Sequence, residues 1–419
     1  MTDRTPPKHA NGPLRPPFLL TAGLLTGLAL MLAAGLVGPS AARADIDLPS
    51  GFRKFETRYY IMYTDLPVEK AREAAVRMTC MAEEYHSRTK GFAGAIKRKL
   101  PFMLCSSRVD YHKLGGIPGS AGVYIQGRAL MALGSGPSMW HVVQHEGFHQ
   151  FVHMVIGGRI PIWVNEGLAE YFGSGVWTGD GLVTGVADPR RVKRVQGYIK
   201  ANKILPMLAM LKMSHQEWNA ALAMRNYDQA WSMVHFLVHA EKGKYRKAFG
   251  KFINDISRRR DWAKAYVRRF GRDTKAFEKK YSEYWMNWKR DNYEDRISRA
   301  VVETLTSYLA RSEILNQDHP DANSLFSAIT KGEVQVDPKK QARLWLPNSL
   351  GQQTVKQSAS RGKWTLTRPG KGEHGKVKLT LTAKDGTIFT GTYTLQRGKR
   401  PDIDVDITQS KSKTDDEAD

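Results

Sequence analysis

The feature that most constrains this chain is a pair of histidines four residues apart in a stretch with helical periodicity. The sequence His-Glu-Gly-Phe-His stands at residues 145–149, inside a predicted helix over residues 138–157. In an α-helix His145 and His149 lie about 40° apart on one face and one turn apart along the axis, so both imidazoles can reach one ion. Glu146 lies about 60° to the side of His149, where it can polarise a metal-bound water without binding the metal. The pattern therefore predicts a metal site with Glu146 as the base.

The motif alone does not decide between a metal site and an ordinary helix. With 12 histidines and 41 acidic residues, a chain of 419 residues shows a His-acid-x-x-His pattern by chance roughly three times in a hundred. The competing interpretation is a helix whose histidines are core or surface residues with no ligand. A second helix with a suitably placed carboxylate would favour the metal site.

The next helix supplies such a carboxylate. Residues 161–172 follow the two glycines at 157–158, so this helix is expected to fold back against the first. Glu166 would complete a set of two histidines and one glutamate and leave a fourth position open for water. Glu170, one turn further on, can accept the spare N–H of a liganding histidine, and Asn165 is assigned the same orienting role. The alternative for Glu170 is an exposed surface acid.

The two helices together resemble the gluzincin metallopeptidases. The motif at 145–149 followed by Trp-Val-Asn-Glu-Gly-Leu-Ala-Glu-Tyr at 163–171 is most similar to the compact bacterial group called peptidase MA-like. The resemblance covers residues 52 to about 290 and implies a zincin-like catalytic domain, with a small mixed sheet beside a helical half. It implies Zn²⁺ as the cofactor, with His145, His149 and Glu166 as ligands and Glu146 as the base.

The resemblance extends to a tyrosine and to an edge strand. Residues 226–237 look like the family's tyrosine-bearing helix, which implies that the phenol of Tyr227 hydrogen-bonds the oxyanion of the reaction. From the residues alone, Tyr227 could equally be an ordinary buried tyrosine. Residues 120–133 look like the family's substrate-lining strand. The glycine-rich motif that holds a free amine in aminopeptidases of the family has no counterpart before His141, which favours cleavage within a chain.

Hydrophobic periodicity predicts an α+β fold with a small all-β module at the C-terminus. The predicted divisions are an N-terminal α+β part at 45–137, a helical part at 138–310, a polar connector at 311–345, a β module at 346–410 and a polar tail at 411–419. The elements expected in the first part are a strand at 53–64, a helix at 67–90, and strands near 99–105 and 121–133. Those expected in the β module are strands at 363–368, 376–383, 387–396 and 403–407, with a hairpin turn at Asp385-Gly386.

The first 44 residues predict export. An apolar run from Phe18 to Gly38 follows three basic residues and precedes Ala42-Arg43-Ala44, which is a small-x-small cleavage site. We expect cleavage and a periplasmic or secreted protein. The alternative is that the run remains as a membrane anchor, since its length is enough to span a bilayer.

The charge indicates the kind of partner. Lysine and arginine number 64 against 41 acidic residues, a formal charge of +23, and the chain stays strongly basic without residues 1–44. Such a surface favours an anionic envelope polymer or lipid surface, whereas nucleic acid is a poor match for an exported protein. The sequence thus predicts a zinc metallopeptidase acting on a peptide or protein substrate. The alternative is an envelope polyanion- or cell-wall-binding protein whose zinc site is structural or vestigial.

The sequence also bears on the state of the two cysteines and on the places of other histidines. Cys80 and Cys105 are too few for a disulfide-rich scaffold or an iron–sulfur protein, and they form either one disulfide or two buried thiols. His141 and His153 continue the histidine stripe but drift beyond reach of an ion between the middle pair. A second pair, residues 235 and 239, is expected in the core because apolar residues surround it.

Overall fold

The computed structural model describes residues 48–91, 93–125, 129–134, 137–157, 160–221, 224–369, 376–396 and 399–409. The fold is α+β, with a five-stranded mixed sheet, a long helical region and a four-stranded sheet at the C-terminus. The predicted signal at 1–44 and the predicted tail at 411–419 lie outside the described residues. Across the described ranges, no helix combines the length and the apolar character needed to cross a bilayer.

The first sheet has the strand order β1-β2-β3-β5-β4. Its strands are β1 (Arg53–Glu56), β2 (Tyr60–Thr64), β3 (Leu100–Cys105), β4 (Gly122–Ile125) and β5 (Ala129–Leu133), with helices α1 (Val68–Thr89) and α2 (Arg108–Lys113) between them. Strands β2, β3 and β5 run parallel, whereas β1 and β4 are antiparallel to their neighbours. Strand β4 is therefore an edge of the sheet, beside the helix that carries the histidines.

Two predicted single strands are each a pair of antiparallel strands. The stretch predicted as a strand at 53–64 turns at Thr57, whose main-chain N–H donates to Tyr60 O at 2.9 Å and whose hydroxyl accepts the main-chain N–H of Tyr60 at 2.9 Å. The stretch at 121–133 divides into β4 and β5, with Val123 opposite Met131. Side-chain alternation continues through the turn at Thr57, so periodicity alone could not show that break.

The helical region begins with two packed helices. Helix α3 (Pro137–Phe151) continues as one π-helical turn (Val152–Ile156) and ends at Gly157, which has a φ of +66°. Helix α4 (Ile162–Gly173) is buried along its whole length. Two short strands follow, β6 (Val176–Trp177) and β7 (Leu182–Val183). The region ends with α5 (Pro189–Lys200), α6 (Met207–Lys212), α7 (His215–Ala221), α8 (Met224–Gly243), α9 (Arg246–Ser257), α10 (Trp262–Phe270), α11 (Thr274–Met286) and α12 (Asp291–Ile314).

The predicted connector at 311–345 contains regular structure. Helix α12 reaches Ile314, α13 (Ala322–Lys331) follows within the connector, and α14 (Asn348–Ser358) occupies the start of the predicted β module. Helix α13 is closed at its start by a capping box between Asp321 and Ser324 and ends at Gly332 in the left-handed conformation. Its apolar face spans little more than two turns, which is too short for a clear helical period in a polar stretch.

The C-terminal sheet packs on helix α12. Its strands are β8 (Gly362–Thr367), β9 (Lys378–Ala383), β10 (Thr387–Thr394) and β11 (Asp402–Gln409), all antiparallel in the order β11-β10-β9-β8. The predicted turn is present, with Gly386 at a φ of +83°. Val302 of α12 packs against Leu381, Phe389 and Val405 of the sheet. The sheet therefore shares a core with the helical region.

The two cysteines are buried and unpaired. Burial raises the pKa of Cys80 to about 11 and that of Cys105 to about 12. Of the two alternatives left open by the sequence, the structure shows the buried thiols.

Candidate metal centre

Helix α3 brings two imidazole nitrogens together. His145 Nε2 and His149 Nε2 lie 3.0 Å apart, and both side chains are almost fully buried. The same helix presents Phe148 to the core, where it packs against Tyr85 and Phe172. This packing fixes the rotation of α3 and so directs both histidines toward α4.

Helix α4 adds a carboxylate oxygen at the same point. Glu166 Oε2 lies 3.4 Å from His145 Nε2 and 3.5 Å from His149 Nε2. A circle through three atoms at these separations has a radius of about 1.9 Å, close to the 2.0–2.2 Å of zinc–nitrogen and zinc–oxygen bonds. The three side chains thus have the donor atoms and the spacing of a tetrahedral zinc site with one position left over.

The contacts behind the two histidines decide where their protons lie. Glu170 Oε1 lies 3.2 Å from His145 Nδ1, and Asn165 Oδ1 lies 3.2 Å from His149 Nδ1. Both oxygens are acceptors, so they favour the neutral tautomers with the proton on Nδ1 and leave both Nε2 lone pairs facing the common point. Glu166 Oε2 is buried there with no hydrogen-bond partner among the described residues. In these tautomers three acceptor atoms face each other, and such a group could hold a metal ion.

The histidines and carboxylates of the cluster shift one another's pKa values. Burial lowers the pKa of His145, but the neighbouring carboxylates of Glu166 and Glu170 outweigh burial and raise it well above the usual value. Burial raises the pKa of Glu166, but His149 and His145 outweigh it and bring the pKa down to about 2. Both shifts arise from attraction between the imidazoles and the carboxylates, and a divalent cation bound at this point would replace a proton there.

Glu146 lies between α3 and the edge of the sheet. Its side chain is buried, and its Oε2 accepts the main-chain N–H of Tyr124 on β4 at 2.9 Å. The strand can approach the helix this closely because residue 122 is glycine: a Cβ there would collide with Val142 and lie 3.4 Å from Glu146 Cγ. One carboxylate oxygen of Glu146 is thus fixed by the strand.

Tyr227 stands in the first turn of α8 and is partly buried. Its ring packs edge-on against Trp218, with the centroids 5.0 Å apart. Burial raises the pKa of Tyr227, and the negative charges of Glu166, Glu170 and Glu146 raise it further. The phenol is therefore protonated at neutral pH and lies within the electrostatic reach of these three carboxylates.

The other histidines lie outside this cluster. His141 Nε2 is 3.7 Å from Glu170 Oε2, and the ring of His153 is hydrogen-bonded to the hydroxyl of Tyr124. His235 and His239 lie within the helical region, as expected, and contact tyrosine hydroxyls there.

Sequence reasoning missed one residue of the site. Arg191 on α5 donates through Nη1 to Glu170 Oε2 at 2.6 Å. The residues are 21 positions apart on different helices, so no motif or local spacing marks the pair. Only the packing of α5 against α8 and α4 brings the guanidinium to the carboxylate.

Comparison with known proteins adds one match. Residues 140–263 match a family model described as a protein of unknown function, DUF1570. The matched segment is less than half of the chain and contains His145, Glu166, Arg191 and Tyr227. No curated protein and no solved structure matches the chain.

Proposed function

We propose that this protein is an exported zinc metallohydrolase with a zincin-like catalytic region, and that it hydrolyses peptide bonds. The observation that carries the proposal is the arrangement of three buried acceptor atoms, His145 Nε2, His149 Nε2 and Glu166 Oε2, within 3.5 Å of one another. Glu170 Oε1 and Asn165 Oδ1 lie beside the Nδ1 atoms of the two rings and favour the tautomers in which the Nε2 lone pairs face the common point. Export is proposed from the sequence of residues 1–44 alone.

Zinc in this position would polarise a scissile carbonyl and lower the pKa of a bound water to about 7. The residues around the site have separate tasks. Glu146 takes a proton on the oxygen that Tyr124 leaves free and passes it to the leaving amine. Tyr227, kept protonated by its surroundings, donates its phenol hydrogen to the developing oxyanion. Glu170 and Asn165 keep the two imidazoles in the tautomer that binds a metal.

The edge strand suggests the substrate. Strand β4 is paired only with β5 among the described strands, and its other side faces the helix with Glu146. A strand at the edge of a sheet beside a proposed catalytic group suits an extended peptide, which can add to a sheet by main-chain hydrogen bonds. This placement supports a peptide or protein substrate that is cut within the chain.

A second candidate is binding of an anionic envelope polymer. Residues 244–280 form a basic segment in which the acids serve internal contacts: Asp255 pairs with Arg260 and Arg269, while Asp261 and Asp273 cap α10 and α11. Its exposed cations include Lys247, Lys251, Arg258, Arg259, Lys264, Arg268, Arg272, Lys275, Lys279 and Lys280. Positive charge with few available counter-charges favours a polyanion, and in this case the zinc site would be structural or vestigial.

The test combines metal analysis with peptide cleavage. We expect one equivalent of zinc in the mature protein and cleavage of a fluorogenic peptide library. The Glu146→Gln variant should keep the metal and lose at least about 100-fold in kcat, because it cannot accept a proton. Glu283→Gln, at an exposed position on α11, is the control and should match the wild type.

Two results would count against the proposal. Peptide hydrolysis by Glu146→Gln at the wild-type rate would show that Glu146 is not the base. Stoichiometric zinc without cleavage of any peptide, together with retention on an anionic polymer, would favour the second candidate.

A further inference from the structure

One guanidinium contacts both the histidine-orienting carboxylate and the helix that carries Tyr227. Arg191 is largely buried on α5, and its Nη1 donates to Glu170 Oε2 at 2.6 Å. Its Nη2 donates to the main-chain oxygen of Tyr227 at 3.2 Å, and its Nε lies 2.8 Å from Asp228 Oδ1. Three nitrogens of one planar group therefore contact two different helices, α4 and α8.

The group has little freedom to move. The guanidinium carbon lies 4.6 Å from the centre of the Trp231 ring, so an aromatic face supports the charged plane. A guanidinium is rigid and presents its N–H groups in fixed directions, whereas a lysine ammonium could serve only one of these positions well. The contacts thus set a distance between Glu170 on α4 and the first turn of α8.

We propose that Arg191 is a positioning residue that fixes Tyr227 relative to the proposed metal site, an inference that rests on the proposed function. Its first effect runs through Glu170. Nη1 of Arg191 binds Oε2 of Glu170, and Oε1 of the same carboxylate contacts Nδ1 of His145. Its second effect runs through the main-chain oxygen of Tyr227, which fixes where the phenol stands relative to Glu166.

Removal of Arg191 leaves Glu170 without its strongest partner. Glu170 is buried, and His141 Nε2 lies 3.7 Å from its Oε2, farther than Nη1 of Arg191. A buried carboxylate that loses its cation is no longer held in one direction and turns toward water. This change weakens the contact with Nδ1 of His145 and so weakens the ligand. Loss of such an outer contact typically lowers metal affinity by 10- to 100-fold.

Arg194 provides a matched control. It lies on the same helix and binds the same partner, with Nε at 2.7 Å from Asp228 Oδ2 and Nη2 at 2.9 Å from Asp228 Oδ1. Its described hydrogen bonds and ion pairs include none to Glu170 or to Tyr227. An Arg194 variant therefore removes a similar ion pair on α5 and leaves the proposed positioning contacts in place.

The experiment compares Arg191→Met, Arg191→Lys and Arg194→Met in the mature protein. The readouts are the zinc dissociation constant by chelator competition, the absorption spectrum of the cobalt(II) form, and kcat and KM for a cleaved peptide. We expect Arg191→Met to bind zinc at least tenfold more weakly and to show an altered cobalt spectrum, with Arg194→Met within twofold of the wild type. Arg191→Lys restores a charge beside Glu170 but not the contact with Tyr227, so zinc affinity should recover while kcat stays at least tenfold low.

The outcomes separate this inference from the proposed function. Zinc affinity and cobalt spectrum unchanged in Arg191→Met would overturn the inference, as would equal losses in Arg191→Met and Arg194→Met. Zinc binding that depends on Arg191, without cleavage of any peptide by the wild type, would overturn the peptidase proposal and leave the effect on the metal site standing. A wild-type protein with no affinity for zinc would overturn both.

Discussion

Substitution of Gly167 by alanine tests how closely the two helices of the site must approach. Gly167 follows the proposed ligand Glu166 on α4, at the crossing with α8. A Cβ at this position would lie 2.5 Å from Ala230 O and 2.7 Å from Val234 Cγ2, whereas ordinary contacts begin at 3.4 Å. The helices would have to separate by about 0.9 Å to admit one methyl group.

Two opposing effects determine the expected change in the free energy of unfolding. Overpacking of a core costs about 1–3 kcal/mol, while replacement of glycine by alanine within a helix gains about 1 kcal/mol. We therefore expect Gly167→Ala to lower the free energy of unfolding by about 0–2 kcal/mol, rather than to raise it as alanine does at an open helix position. The same displacement moves Tyr227 relative to Glu166, and a shift of about 1 Å in a catalytic site can cost about 100-fold in rate.

The assay is urea unfolding followed by circular dichroism, with kcat measured on the same preparations. Gly197→Ala is the matched control, because Gly197 lies on α5 where an added Cβ would meet no other part of the protein within 4 Å. It should raise stability by about 0.5–1 kcal/mol and leave kcat unchanged. If Gly167→Ala were as stable as Gly197→Ala and equally active, the close crossing of α4 and α8 would not constrain the site.

Two further predictions concern buried groups away from the site. Burial lowers the pKa of His235 to about 4, so the ring is neutral in the fold while the unfolded chain takes up a proton below about 6.5. Stability should therefore fall as the pH drops from 6.5 toward 4, by about 3 kcal/mol from this residue. His235→Gln should flatten that dependence in urea titrations, and an unchanged slope would contradict the prediction. Cys80 and Cys105 should resist Ellman's reagent in the native protein and react after unfolding, whereas rapid labelling of the native protein would show that they are accessible.

Much of the fold could be predicted because it depends on local patterns. The C-terminal strands follow from alternation, and the turn at Asp385-Gly386 follows from the need for a positive φ. The turn at Thr57 could not be predicted, because it is closed by a threonine hydroxyl within an otherwise regular alternation. Helix α13 was missed because its short apolar face stands among polar residues.

Some features of the candidate site could likewise be predicted from local sequence, and others could not. The relation of His145 to His149 follows from helix geometry, and the approach of Glu166 follows from a short turn between two helices. The role of Tyr227 came from the family resemblance, because nothing in its neighbourhood along the chain distinguishes it from a core tyrosine. The contact of Arg191 with Glu170 depends on how three helices pack, and sequence spacing holds no information on that arrangement.

The seating of the C-terminal sheet on α12 limits how far the gene can be shortened. Strand β10 crosses the helix at Gly391, where any side chain would collide with the hydroxyl of Thr306. A truncated protein that ends before residue 362 would expose the hydrophobic surface around Val302 to water and would tend to aggregate. Attempts to produce a minimal version of the protein for crystals or assays should therefore retain the chain through residue 409.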